Sequence, residues 1–222
     1  MRSRLLTSPL LGPGVTLFFV MAALAVWYLF TPQEVFRITH ERGPVERPTE
    51  WLYVVVALGM WALRRPSDAL KLWLALSVTL LAFGMREMDL HKAWTGTSVL
   101  KVSFYLGQAP LHHRLVALAV LSLVALAVGH LLRRYAGVAW RALRQGHPVA
   151  ITVACFLGTL VASKVFDRLI NILAEDYQLV VTPGIDSIVT ALEEILELGL
   201  PVLAATALLQ HRALTGRRLE GR

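Results

Sequence analysis

The sequence predicts an all-α polytopic membrane protein, a six-transmembrane-helix bundle with both termini in the cytoplasm. Three observations predict it. Hydrophobic residues fill 56% of the 222 positions and charged residues only 17%, whereas a soluble domain carries about 25% charged residues. Apolar blocks of roughly 16 to 25 residues, the length that crosses a bilayer, recur along the chain. Lysine and arginine gather in alternate links between the blocks, as the positive-inside rule requires.

The blocks place spans at about 14–31, 46–63, 70–88, 114–132, 149–170 and 186–209. Each is close to the roughly 20 residues that a helix rising 1.5 Å per residue needs to span hydrocarbon, and together they make residues 1–222 a single transmembrane domain. Four segments are basic: MRSR at the start, RRPSDALK (64–71), RRYAGVAWRALRQGH (133–147) and the tail HRALTGRRLEGR. They alternate with 32–45, 89–113 and 171–185, and AEDYQLVVTPGID (174–186) holds acids but no lysine or arginine. Trp27, Trp51, Trp61, Trp94 and Trp140 fall near span ends, where amphipathic rings favour the interface.

MRSR, an apolar run and ALA (23–25) also fit a cleaved signal peptide, but the apolar stretch continues through VWYLF, which favours a retained anchor. VAWRALRQGH (138–147) is amphipathic and is expected along the cytoplasmic surface. TGTSVLKVSFYLGQAPLHH (95–113) is expected as a re-entrant or interfacial segment over the helix ends. The formal charge of +7 does not indicate nucleic acid, because the arginines occupy membrane-flanking links. The single cysteine, Cys155, excludes an intrachain disulfide and a cysteine-based zinc site.

The ionisable residues inside the spans share one depth. Measured from the basic end of each span at 1.5 Å per residue, Glu50, Arg86, Glu87, Lys164, Asp167, Glu193 and Glu197 lie about 20 to 27 Å away, in the outer third of a hydrocarbon layer about 30 Å thick. They also share faces. Asp186, Thr190, Glu193 and Glu197 form one helical stripe, as do Lys164, Asp167 and Asn171. In MREMDLHKAW (85–94), Glu87 and His91 are i,i+4 neighbours. A charge in a span costs about 2.5–3.5 kcal/mol at the centre and less toward the interface, so such faces look at other helices, at water or at a ligand.

The acids of the layer outnumber its bases, which favours a bound cation or a raised carboxylate pKa. Glu87, His91, Asp167, Glu193 and Glu197 are therefore the candidate metal ligands. Glu87, Asp167 and Glu193 are the candidate acid/base groups, and Arg86 and Lys164 the candidate substrate-binding cations. Glu194 is expected as a structural partner, and His112 and His113 as weaker ligand candidates. His130 has no histidine at its level on another span, which argues against a b-type haem. There is no nucleophile elbow, P-loop or HExxH.

REMDLHK followed by TSVLKVSFY, then SKVFDR and LEEILEL, resembles an uncharacterised group of small bacterial multi-pass inner-membrane proteins over about residues 46–200. The resemblance implies a bacterial inner-membrane location and no activity. The residues themselves point first to a membrane-embedded enzyme acting on a lipid or lipid-linked substrate, with a divalent metal as candidate cofactor. An alternative is a structural or accessory subunit held by a buried salt-bridge network. The third reading is a cation or proton transporter. The expected partners are membrane lipid and a second subunit, of the same or another chain.

Overall fold

A computed structural model describes residues 5–39, 43–90, 96 and 98–220, side chains excepted for 216–220. Among the described residues the chain is helical, with no strand. In order come α1 (Leu11–Leu29), α2 (Pro32–Thr39), α3 (Glu46–Ala62), α4 (Leu70–Glu87), the short α5 (Val102–Leu106), α6 (Leu111–Arg144), α7 (Pro148–Asn171) and α8 (Pro183–Glu220). A π-helical turn, Ile172–Asp176, follows α7.

All six expected spans coincide with helices, and three helices are long and apolar enough to cross a membrane: α1, α6, and α7 with its π turn. The other three fall short because of length and charge. α3 has 17 residues and carries Glu46, Arg47 and Glu50 in its first turns. α4 includes Lys71, Arg86 and Glu87. α8 is 38 residues long, but Asp186, Glu193, Glu194 and Glu197 interrupt its apolar sequence. The residues that suggest a site are thus the ones that dilute the span signal.

One boundary differs from expectation. Residues 138–147 are not a separate surface segment, because α6 runs unbroken to Arg144, about 51 Å at 1.5 Å per residue. The helix closes in a Schellman motif: His147 N–H donates to the Ala142 carbonyl (2.9 Å) and Gly146 N–H to that of Leu143 (3.0 Å). Gly146 adopts φ +71°, a conformation only glycine takes without cost. Pro148 then opens α7 at its first position, where a missing N–H does no harm.

The chain divides into two compact units, residues 1–52 with 140–222, and residues 53–139. In the first unit, α8 packs on α7, α1 and α2, and α1 also meets α7. Phe19 and Ala23 of α1 are buried with Ile195 and Leu196 of α8. Small residues permit the approach. A Cβ on Gly199 would meet the Phe19 ring at 3.1 Å, and one on Gly12 would stand 2.5 Å from Thr152 Oγ1 and 2.8 Å from its Cα. A polar knot centred on the fully buried Thr152 and Gln210 joins three segments: Thr152 Oγ1 donates to Gln210 Oε1 (2.6 Å), and Gln210 Nε2 donates to the carbonyl of the half-buried Ser8 (3.1 Å).

In the second unit, Tyr53 stacks on Phe83 at 6.0 Å between centroids, and Trp61 Nε1 donates to Ser77 Oγ at 2.8 Å. These pairs bring α3 and α4 together antiparallel. The link between them is tied by Arg65 N–H donating to Asp68 (2.7 Å). α5 buries Phe104 but leaves Val102 and Leu106 exposed, as an interfacial segment would, and Arg114 donates to the Gly107 carbonyl behind it.

Candidate functional site

The charged residues of α7 and α8 come together in the first unit. Helical spacing puts Lys164 and Asp167 on one face of α7, and Glu193 and Glu197 on one face of α8. Lys164 Nζ pairs with Glu197 Oε1, the closest ion pair in the cluster. The same ammonium stands 3.8 Å from Asp167 Oδ2. Glu197 is buried, its side chain 9% exposed, while Lys164 and Asp167 keep 30% and 39%. Pro201, fully buried one turn along α8, has no N–H to give the Glu197 carbonyl, so the backbone at the ion pair lacks one helical bond.

Two further carboxyls complete the cluster. Glu193, half-buried, has Asp167, Glu197 and Lys164 as its charged neighbours, and its carboxyl is within hydrogen-bond reach of that of Asp167. Glu194, also half-buried, has Glu197, Glu193, Glu46 and Lys164. Neither Glu193 nor Glu194 makes an ion pair among the described residues. Lys164 is therefore the shared counter-charge of several acids.

The structure brings together four of the sequence-derived candidates, Lys164, Asp167, Glu193 and Glu197. It adds Glu194 and Glu46. Glu194 is rotated by about 100° from Glu193 around the helix, yet its side chain still borders the cluster. Its sequence signal was adjacency alone.

Arg86 and Glu87 belong to the second unit and pair with each other at 3.0 Å, with side chains 37% and 11% exposed. His91, the candidate ligand one turn beyond Glu87, lies outside the described residues, as does Trp94. His112 and His113 open α6 with their rings 4.3 Å apart, edge to face. Arg168 is exposed beside Asp167. Among the described residues, no group of three or more His, Cys, Asp or Glu side chains is arranged to hold a metal ion.

Chemically, the α7–α8 cluster offers one ammonium and several carboxyls at an apolar helix interface. That set can pass a proton between Asp167 and Glu193 or lock two helices. Compared with known proteins, the chain matches no family model, no curated protein and no solved structure.

Proposed function

We propose that the protein is a six-span inner-membrane protein with both termini cytoplasmic, and that the α7–α8 cluster is the acid–base centre of an enzyme acting on a lipid or lipid-linked substrate. The observation that carries this reading is the sharing of Lys164 among Glu197, Asp167 and Glu193. Half-buried acids without their own counter-ion need a cation, and a proton held between Asp167 and Glu193 supplies one. In this reading Asp167 and Glu193 exchange the proton with substrate. Lys164, anchored by Glu197, faces an anionic headgroup. In this reading Asp167, Glu193 and Glu197 are the proposed ligands of a divalent metal, and Glu87 and His91 are ligand candidates from their sequence pattern alone. The parts given to Arg86 and Glu87 rest on their depth in the sequence, and that given to His91 on its i,i+4 spacing from Glu87.

A second reading has a specific observation behind it. The Lys164–Glu197 pair is what a non-enzymatic membrane subunit would use to fix α7 on α8, and a partner subunit would then supply the function. The two separate in one experiment. The protein is purified into nanodiscs containing a mixed bacterial lipid extract, and the lipid pool is followed by mass spectrometry, with metal content measured alongside. The enzyme reading expects a lipid species to be converted, and conversion to stop in Asp167→Asn and Glu193→Gln while the melting temperature holds. No conversion by the native protein, with Lys164→Ala and Glu197→Ala both unfolding it, would establish the structural reading instead.

A further inference from the structure

The apolar sequence of α6 ends at Leu132, and Arg133 and Arg134 follow. One turn earlier lie Gly129 and His130. A shallow, open depression of about 440 Å³ runs along this face, lined by Ala125, Leu126, Gly129, His130, Arg133 and Arg134. The lining forms two i,i+4 rows, Ala125–Gly129–Arg133 and Leu126–His130–Arg134. One end of the face is therefore small and apolar, and the other is rich in nitrogen donors.

Those donors are unused by the protein. His130 Nε2 is buried without a hydrogen-bond partner, and its ring only meets Tyr135 edge to face at 6.0 Å. Arg133 and Arg134 are exposed, and neither makes an ion pair or hydrogen bond among the described residues. A buried polar atom left unpaired costs about 1–3 kcal/mol, which an external acceptor would recover. The apolar end faces outward as well, with Leu126 73% exposed on the most hydrophobic of the three membrane-capable helices.

We infer that this face binds an anionic phospholipid, its phosphate on Arg133 and Arg134 with His130 completing the contact, and one acyl chain laid over Ala125 and Gly129 beside Leu126. Charge selects the headgroup. The apolar half selects a lipid over free phosphate, which would leave that half uncovered. Basic residues at the edge of a span are where anionic headgroups meet protein, and a guanidinium presents several fixed donors to phosphate oxygens.

The test uses the full chain in mild detergent, with phosphatidylglycerol and phosphatidylcholine supplied in equal amounts and bound lipid read by native mass spectrometry. Phosphatidylglycerol is expected to be retained selectively. R133Q/R134Q should weaken its retention roughly 30-fold, equivalent to about 1 kcal/mol for each arginine near an anionic surface. R141Q/R144Q removes equal charge further along the same helix and should leave retention unchanged. Gly129→Leu, where nothing lies within 4 Å of an added Cβ, keeps both arginines but blocks the chain path, and should lower lipid retention. Equal retention of both lipids, or equal loss in the two arginine pairs, would overturn the assignment. So would full thermal stabilisation by inorganic phosphate alone, or a Gly129→Leu protein that binds phosphatidylglycerol as well as the native chain.

Discussion

In the first unit, helices meet through small residues, buried polar atoms and an ion pair: Gly12 against Thr152, Gly199 under Phe19, Gln210 between Thr152 and Ser8, and Lys164 on Glu197. In the second, α6 has the highest mean hydropathy of the three membrane-capable helices, 2.6, yet only 11% of its most apolar window is buried. For α7 the corresponding values are 2.0 and 22%. The most hydropathic of the three is thus the least buried, while α1, the least hydropathic, lies between them in burial. In a bilayer the lipid is as apolar as leucine, so apolar sequence commits a helix to the membrane without giving it a partner. Close approach and interhelical polar contacts do that. The unit that holds the acid cluster is also the one with the means to position it.

The largest test of this contrast is Lys164→Ala. It leaves the buried Glu197 carboxylate without its ammonium, and removing one partner of a buried pair costs about 3–5 kcal/mol. Lys164 is itself 30% exposed, so a loss of about 3 kcal/mol, the low end of that range, is expected in thermal unfolding in detergent. A variant as stable as the native protein would remove the ion pair from the account of how α7 and α8 associate.

Next comes a matched pair of glycines. Gly12→Ala forces a Cβ into the Thr152 backbone and should cost about 1–3 kcal/mol by overpacking. Gly59→Ala in the second unit meets nothing within 4 Å and should leave the melting temperature unchanged or slightly raised, since glycine weakens a helix. Equal effects at both positions would dissolve the distinction between the units.

Gln210→Leu removes both bonds of the buried knot. Interhelical polar contacts in membranes contribute about 0.6 kcal/mol on average and up to about 1.7, so about 1 kcal/mol is expected. Hydrogen exchange should show the loss locally, at the amides of α7 around Thr152.

The smallest effect is at α2. Glu34 accepts bonds at 2.9 Å from the Thr31 backbone N–H and from its hydroxyl, a capping-box contact that holds its carboxyl below the usual carboxylate range. A lowered pKa means stabilisation that is present above the ordinary carboxyl value, about 4.3, and lost as pH falls through the lowered one. Protection of the Thr31 amide should therefore decline on acidification below about pH 4.3, and Glu34→Gln should make it insensitive to pH. Unchanged protection in the native protein at low pH would mean that the cap does not depend on the charge.

Much of the first unit's site was legible before any tertiary information. The spacing of Lys164 with Asp167 and of Glu193 with Glu197 is a property of the helical repeat, and their common depth follows from rise per residue. Glu46 opens the second span in the sequence, but its approach to Glu194 crosses most of the chain and leaves no local signal. The part of the proposed site in MREMDLHKAW was less legible. Arg86 and Glu87 pair with each other, a contact between sequence neighbours that depth and face alone do not foretell.

By itself, the sequence determined that the chain is helical and membrane-compatible and where its apolar helices run; the turn at Gly146 and Pro148 is local too, although the basic, amphipathic 138–147 pointed to a separate surface segment. Those are consequences of composition, helical period and the conformations that glycine and proline allow, all local in the chain. The tertiary structure alone decided which helices touch. It set Gly12 on Thr152 and drew Gln210 to Ser8, and it gave Lys164 to Glu197 while leaving Glu193 and Glu194 without ion pairs among the described residues. Contacts across such separations carry no periodic signal, because they depend on shape complementarity between faces that hydropathy treats as equivalent.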